Sequence, residues 1–390
     1  MPRVGDMRFE FATATQIVFG AGMLREIGSL AKPFGRRALV VTGRDAARAA
    51  RVLPRLRAAD LGVVTFPVFG EPEISTIERG VALARREHCE FVIGFGGGSV
   101  LDAAKAIGVM LTNDGEPLDY VEVIGRGKAI ANASAPLIAI PTTAGTGAEV
   151  TRNAVLGSPE HRVKVSLRSP LLLPRVAVVD PELTYDLPPA LTASTGLDAL
   201  TQLIEPYVCR RANPMTDGLC VEGLRRAARS LRVAFSGGSC PAAREDMAVA
   251  SLHGGLALAN AGLGAVHGFA GPIGGMFPAP HGAVCAALLP HVMATNLQAL
   301  RERAPESGAL KRYDEVARLL TGQATAAADD GLAWIAALVR DLQIPPLGSY
   351  GLRREDLGEV VTKAMNASSM KANPITLTAV ELAETLRAAL

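Results

Sequence analysis

Asp198, His267 and His281 are residue types that ligate divalent metals, and their sequence context suggests a single site. Asp198 lies in Thr195-Gly-Leu-Asp-Ala-Leu-Thr-Gln202, which reads as the first turns of a helix. Positions i and i+4 on a helix face the same way, so a second ligand belongs at position 202. Gln202 stands there, and its amide oxygen is a neutral, harder and weaker donor than an imidazole. His267 sits in Gly264-Ala-Val-His-Gly268 and His281 in Pro280-His-Gly282, fourteen residues apart. The set is therefore a metal site with a weak corner, or one that has lost a ligand. The competing explanation for each histidine is packing in an Ala/Gly-rich helix. For Asp198 it is a charge complementing a helix N-terminus. Thr192 or Thr195 is the better cap, which leaves Asp198 free to face a cleft. His253 and His291 read as packing histidines, and His88 and His161 as exposed.

A second chemistry is written in Gly96-Gly-Gly-Ser-Val-Leu-Asp-Ala-Ala-Lys105, which follows a strand and opens a helix. Three glycines let the backbone approach a bulky anion. The helix N-terminus offers free N–H groups and a positive dipole end to a pyrophosphate, and Ser99 adds a hydroxyl. A second strand-ending turn, Pro141-Thr-Thr-Ala-Gly-Thr-Gly-Ala-Glu149, carries Thr142, Thr143 and Thr146, which are suited to ribose or phosphate. Without a ligand these would be a tight turn and a hydroxyl-rich cap.

The elements that must position these groups alternate in type. Short apolar runs at 37–42, 63–69, 91–95, 137–140 and 177–180 read as strands. Helical stretches at 44–58, 76–87 and 100–111 lie between them, which implies parallel pairing and a doubly wound α/β domain. From Pro188 on, long Ala/Leu-rich stretches at 215–231, 240–261, 313–320, 329–342, 354–364 and 376–390 read as helices. The segments 301–308 and 322–330 read as loops or helix ends. A boundary near Leu187-Pro-Pro189 divides an α/β domain, 1–187, from an all-α domain, 188–390.

The bulk numbers agree with two globular domains: 390 residues, 49% hydrophobic and 20% charged. A net charge of +2, with no basic run among aromatics, gives no reason to expect nucleic acid. The scattered Cys89, Cys209, Cys220, Cys240 and Cys285 form no metal-finger spacing and imply reduced thiols and a cytoplasmic home. The first ten residues hold no apolar signal core, and no run of about 18 apolar residues suggests a membrane span.

Taken in order, several motifs resemble the iron-containing (group III) alcohol dehydrogenases over nearly the whole chain. They are Phe9-Glu-Phe-Ala, Ile17-Val-Phe-Gly-Ala-Gly22, the two turns above, Asp180-Pro-Glu-Leu-Thr184, Thr195-Gly-Leu-Asp-Ala-Leu, Asn260-Ala-Gly-Leu-Gly-Ala-Val-His267, Pro280-His-Gly282 with Leu289-Pro-His291, and Asn373-Pro374. The resemblance implies a dehydroquinate synthase-like architecture, with NAD(P) and a divalent metal in the cleft between the domains. It implies hydride transfer between the cofactor and a small alcohol or aldehyde, with the metal polarising the substrate oxygen. It assigns Gly96, Gly97, Gly98, Ser99, Asp102, Thr142, Thr143, Thr146, Lys164 and Leu183 to the cofactor. The metal would be held by Asp198, Gln202, His267 and His281, with Fe2+ expected and Zn2+ the alternative. Relatives are commonly homodimers, and the first-strand region offers a pairing edge.

Two departures from the family pattern fall in one cleft. Gln202 replaces a histidine ligand, and Gly271 stands where a second histidine follows His267 by four residues. If the metal is lost, His267 or His281 would serve as proton donor or polarising group. After the first strand, Gly43 occupies the place of the acidic residue that binds the adenosine ribose in NAD-using relatives. Arg44 beside it favours a 2′-phosphate and hence NADP, while Asp45 keeps NAD open. The competing readings are the dehydroquinate synthase and glycerol-phosphate dehydrogenase group, a maleylacetate-reductase-like activity using Arg210, Arg211 and Lys371, and a nucleotide-binding protein without catalysis.

Overall fold

The computed structural model describes residues 8–390, so the start of the N-terminal stretch, 1–7, lies outside it. Six strands form one parallel sheet: β1 (Gln16–Phe19), β2 (Arg37–Thr42), β3 (Gly62–Pro67), β4 (Phe91–Gly96), β5 (Leu137–Pro141) and β8 (Val176–Val179). Their order is β1-β8-β5-β4-β2-β3. The inner strands are buried on both faces, as parallel strands between helix layers must be. The period of two sorts their side chains. Leu39, Val41 and Val92 enter one core, while Ala38, Val40 and Ile93 enter the core on the other face. In register, Val40 opposes Ile93, and Ile93 opposes Ile138.

All five expected strands and two of the three expected helices recur within a few residues, and three differences stand out. The stretch 44–58 is two short helices, Ala46–Ala49 and Leu53–Ala58, because Pro54 fits only a first helical turn. β1 was not expected. Nor was the antiparallel hairpin of β6 (Asn153–Ser158) and β7 (Val163–Arg168), which stands apart from the main sheet. The strand 37–42, expected to offer a pairing edge, is β2. It lies between β4 and β3, so the sheet's edges are β1 and β3.

From Pro189 on, the described residues form helices only. Pro189–Val208, Pro241–Asn260, Ala265–Met276 and His281–Arg303 build the centre of a large apolar core. The first of these helices starts six residues before Thr195, so Asp198 is mid-helix and not in its first turns. Its N-cap is Pro188, and neither threonine caps it. Thr195 bonds back to the Leu191 carbonyl at 2.7 Å, and the Thr192 hydroxyl accepts from Arg244 at 2.9 Å. The dipole explanation for Asp198 therefore fails. His281–Arg303 is long and apolar enough to cross a membrane, contrary to expectation. However, 78% of its apolar window is buried among the other helices, where it serves as core.

Candidate active site

Three helices bring the metal-type residues together. Asp198 projects from Pro189–Val208, His267 from Ala265–Met276, and His281 opens His281–Arg303. Asp198 Oδ1 lies 3.4 Å from His267 Nε2 and 3.8 Å from His281 Nε2. Asp198 is 1% exposed, whereas the His281 side chain is 34% exposed and marks where the cluster opens. Cys285, one turn beyond His281, joins them. Its Sγ is 3.8 Å from His267 Nε2 and 3.7 Å from His281 Nε2. One donor atom from each of these four residues falls within 4.8 Å of all the others.

Two buried oxygens here, Asp198 Oδ1 and Gln202 Oε1, have no hydrogen-bond partner. A buried polar atom left unpaired costs about 1–3 kcal/mol, so such atoms are normally satisfied. An unpaired carboxylate oxygen facing two imidazole nitrogens fits a divalent cation, and the chemistry of the donor set agrees. Gln202 is 2% exposed and sits beside Asp198, its amide helping to hold the carboxylate ionised.

Sequence reasoning missed Glu205 as well as Cys285. Glu205 Oε2 accepts from His267 Nδ1 at 2.7 Å, and its Oε1 accepts from the Val266 backbone N–H at 2.7 Å. This buried carboxylate fixes the ring so that Nε2 faces Asp198 and Cys285, the usual outer partner of a metal-binding histidine. The spacing of Asp198 and Glu205, seven residues or two helical turns, was the available signal. For Cys285 it was the i, i+4 relation to His281.

Burial dominates the electrostatics. It pushes the Asp198 carboxyl up, but His281, His267 and Gln202 together outweigh it and hold the group below its usual range. Burial pushes His267 down, yet Cys285, Asp198 and Glu205 raise it well above an ordinary histidine. Burial takes His281 down to about 4, with Asp198 opposing and His267 and Lys164 adding to the fall. The Cys285 thiol is driven up to about 12 by burial, against the pull of His267.

The residues expected at a nucleotide gather at the C-terminal ends of the strands, the edge where ligands enter an open parallel sheet. Gly43 follows β2, Gly97 follows β4 and Thr142 follows β5. The Gly98–Met110 helix begins at Gly97 without a side-chain cap, which leaves its N-terminus to an anion. None of Gly96, Gly97 and Gly98 has a positive φ; close approach is what they provide. A Cβ on Gly98 would meet the Thr146 side chain at 2.9 Å, and one on Gly97 would lie 3.5 Å from Thr143 Oγ1. The second turn is pressed onto the helical domain. A Cβ on Gly145 would stand 2.7 Å from Thr195 Cβ, one turn before Asp198, and one on Gly147 2.4 Å from Gly255 Cα.

The remaining candidates divide. Lys164, on β7, pairs with Glu71 at 2.5 Å, and its side chain runs against Gly274 of the His267 helix. Asp102 is engaged structurally: Oδ1 meets Lys105 Nζ at 2.9 Å and Oδ2 accepts from Val155 N–H at 3.1 Å. Leu183 is buried in the core between the sheet and the outer helices, so only its backbone can face the cleft. Arg44 lies over the exposed Phe69 ring at 5.7 Å, while Asp45 accepts from the Ala47 N–H at 2.9 Å. A Cβ on Gly271 would have nothing within 4 Å, so the departure at that position leaves open space.

An uncapped helix end beneath glycines, set against helices that carry a four-residue donor cluster, is an arrangement suited to a nucleotide beside a metal. Known proteins narrow it. The iron-containing alcohol dehydrogenase model matches residues 14–181, and its C-terminal counterpart matches 192–390. The 1,3-propanediol dehydrogenase of Klebsiella pneumoniae is 36% identical over 380 residues, covering 94% of this chain and 95% of its own. The NAD-dependent methanol dehydrogenase of Bacillus methanolicus is 34% identical over 386 residues, covering 96% and 97%. A crystal structure of 1,3-propanediol oxidoreductase superposes with a TM-score of 0.90 at 36% identity, covering 98% and 100% of the two chains. The chain belongs to the iron-containing alcohol dehydrogenase family and is an oxidoreductase of that family.

Proposed function

We propose that this protein transfers a hydride between NAD(P) and a small alcohol or aldehyde in the cleft between an α/β domain, up to residue 187, and a helical domain from residue 188. The observation that carries this reading is the unpartnered Asp198 Oδ1 facing His267 and His281, one helical turn from the threonine-rich turn of the cradle. When bound, the nicotinamide would supply the hydride, and a divalent metal the Lewis acidity that polarises a substrate oxygen. Asp198, His267 and His281 would hold that metal, and Gln202 would steady the Asp198 carboxylate. Glu205 keeps a proton on His267 Nδ1, so the other ring nitrogen faces the cluster. The uncapped Gly98 end, with Ser99, Thr142, Thr143 and Thr146, would grip the pyrophosphate and ribose. Lys164, between Glu71 and Gly274, would close the side of the cleft. Without a histidine at Gly271, the substrate space is wider there.

The absence of a carboxylate at Gly43 and the placement of Arg44 over Phe69 favour NADP. The B. methanolicus relative is NAD-dependent by name, so the choice separates this chain from it. Arg44→Ala should lower kcat/KM for NADPH about tenfold, roughly one charged hydrogen bond, and leave NADH unchanged. Wild-type preference for NADH would reverse the assignment. Activity over a panel of small alcohols and aldehydes, measured before and after chelation and metal return, tests the whole reading. Tight NAD(P) binding with no turnover on any of them would overturn it. The five free thiols favour a reducing, cytoplasmic setting, and we expect a homodimer, which sedimentation would test.

A further inference from the structure

We infer that Cys285, as a thiolate, is the fourth metal ligand beside Asp198, His267 and His281, and that the resulting set selects Zn2+ over Fe2+. The inference rests on the metal-dependent reading above and adds a residue to it. Its ground is the shape of the cluster. Tetrahedral Zn2+ with bonds of about 2.0–2.1 Å to nitrogen or oxygen and about 2.3 Å to sulfur places N and O roughly 3.3 Å apart, and N and S roughly 3.6 Å apart. The corresponding separations here are 3.4 and 3.8 Å from Asp198 Oδ1 to the two imidazoles, and 3.8 and 3.7 Å from Cys285 Sγ to the same two nitrogens. Four edges of a tetrahedron are thus within about half an ångström of the metal-bound lengths.

Gln202 is the weaker donor for this corner: its carboxamide is neutral and supports the Asp198 carboxylate, and its buried, unpartnered Oε1 stands beside the set as a further neutral contact. The unpartnered Asp198 Oδ1, in a residue 1% exposed, points independently to a cation at the same place. Metal entry breaks the Cys285 S–H bond as the sulfur–metal bond forms. The proton leaves to solvent, and no group changes oxidation state. A thiolate among imidazoles is the softer set that suits tetrahedral Zn2+.

The test uses full-length protein stripped with a chelator and loaded anaerobically with Co2+ as a spectroscopic substitute for Zn2+. One equivalent should give a thiolate-to-cobalt charge-transfer band in the near ultraviolet. Cys285→Ser should lose the band and bind Co2+ more weakly by at least the roughly 10–100-fold that loss of an outer partner costs. Cys89→Ser, which alters a thiol outside the cluster, should keep it. Stoichiometric Co2+ in the wild type without that band overturns the thiolate ligand and leaves the metal-dependent reading standing. Folded protein that takes up no Co2+ overturns both. The wild-type spectrum decides the point even if Cys285→Ser fails to fold. Dialysis against equal Fe2+ and Zn2+ should leave the wild type with Zn2+ in about tenfold excess or more. A majority of iron overturns the selectivity.

Discussion

Glu205→Gln removes one charge and almost no volume from a buried residue that serves two donors at once. One carboxylate oxygen accepts from Val266 N–H and the other from His267 Nδ1–H, both at 2.7 Å. A carboxamide has a single acceptor. If its oxygen stays on Val266, its NH2 faces Nδ1, and the ring proton must move to Nε2. That proton then points at Asp198 Oδ1, 3.4 Å away, and fills the space a metal needs. If the oxygen turns to His267, the NH2 meets the Val266 N–H. The first arrangement keeps every donor paired but turns the ring to the wrong tautomer for a metal; the second leaves the Val266 N–H without a partner, which costs about 1–3 kcal/mol of stability. Loss of the outer partner of a metal-binding histidine weakens the metal by about 10–100-fold, or roughly 1.4–2.8 kcal/mol. Glu205→Ala leaves both donors unpaired and should cost about 3–5 kcal/mol. The measurements are a Zn2+ titration of apoprotein against a competing chelator and urea unfolding of the apo forms. Saturating metal should restore much of kcat in Glu205→Gln, as befits a positioning residue. A metal affinity within about threefold of wild type, with an unchanged unfolding free energy, would refute this account of how the site is held.

Two predictions concern the join between the domains and the buried charge beneath it. Gly147 has φ 59°, and a Cβ there would stand 2.4 Å from Gly255 Cα, which is backbone and cannot swing away. Gly147→Ala should therefore cost roughly 2–5 kcal/mol, combining left-handed strain with overpacking, and a urea midpoint shift worth under about 1 kcal/mol would contradict it. Burial raises the Glu149 carboxyl to about 7 from 4.5, with its own backbone and Lys105 opposing. The folded state thus keeps a proton that the unfolded chain releases. Stability should be full below pH 4.5, fall as pH rises to about 7 and level off above, by on the order of 3 kcal/mol. Glu149→Gln should flatten that window relative to wild type, and parallel curves for the two proteins would count against the shift.

The fold was legible where one signal dominated. Short runs such as Phe91-Val-Ile-Gly-Phe95 are apolar on both faces, so burial on both sides and parallel pairing follow from composition alone. The hairpin was missed for the opposite reason. Val163-Lys-Val-Ser-Leu-Arg168 alternates apolar and polar residues as a half-buried strand should, but six residues carry only a short period-two signal, and no Asn-Gly or Asp-Gly turn marks the hairpin. The start of the Pro189–Val208 helix was displaced because Thr192 and Thr195 look like caps. Both hydroxyls found partners inside the structure instead, one along the helix and one across to Arg244.

The site was legible to the extent that its residues act through sequence-local spacing. Asp198, His267 and His281 are marked by short contexts, and the structure brings all three together. Glu205 and Cys285 share helix faces with Asp198 and His281, but an i+7 glutamate or an i+4 cysteine is common on any helix. What singles them out is the crossing of three helices, which sets a carboxylate behind His267 Nδ1 and a sulfur between two imidazoles. That relation is long-range, 62 residues for Glu205 and His267, and no pattern within either segment encodes it. Gln202 occupies a ligand's position by local spacing, and its buried oxygen has no partner, but a carboxamide is a weaker donor than the thiol that the neighbouring helix brings to the same cluster. A corner that looks empty along one helix is thus filled from another. A lost ligand in this architecture should therefore be sought across the helix crossing before the metal is taken to be gone.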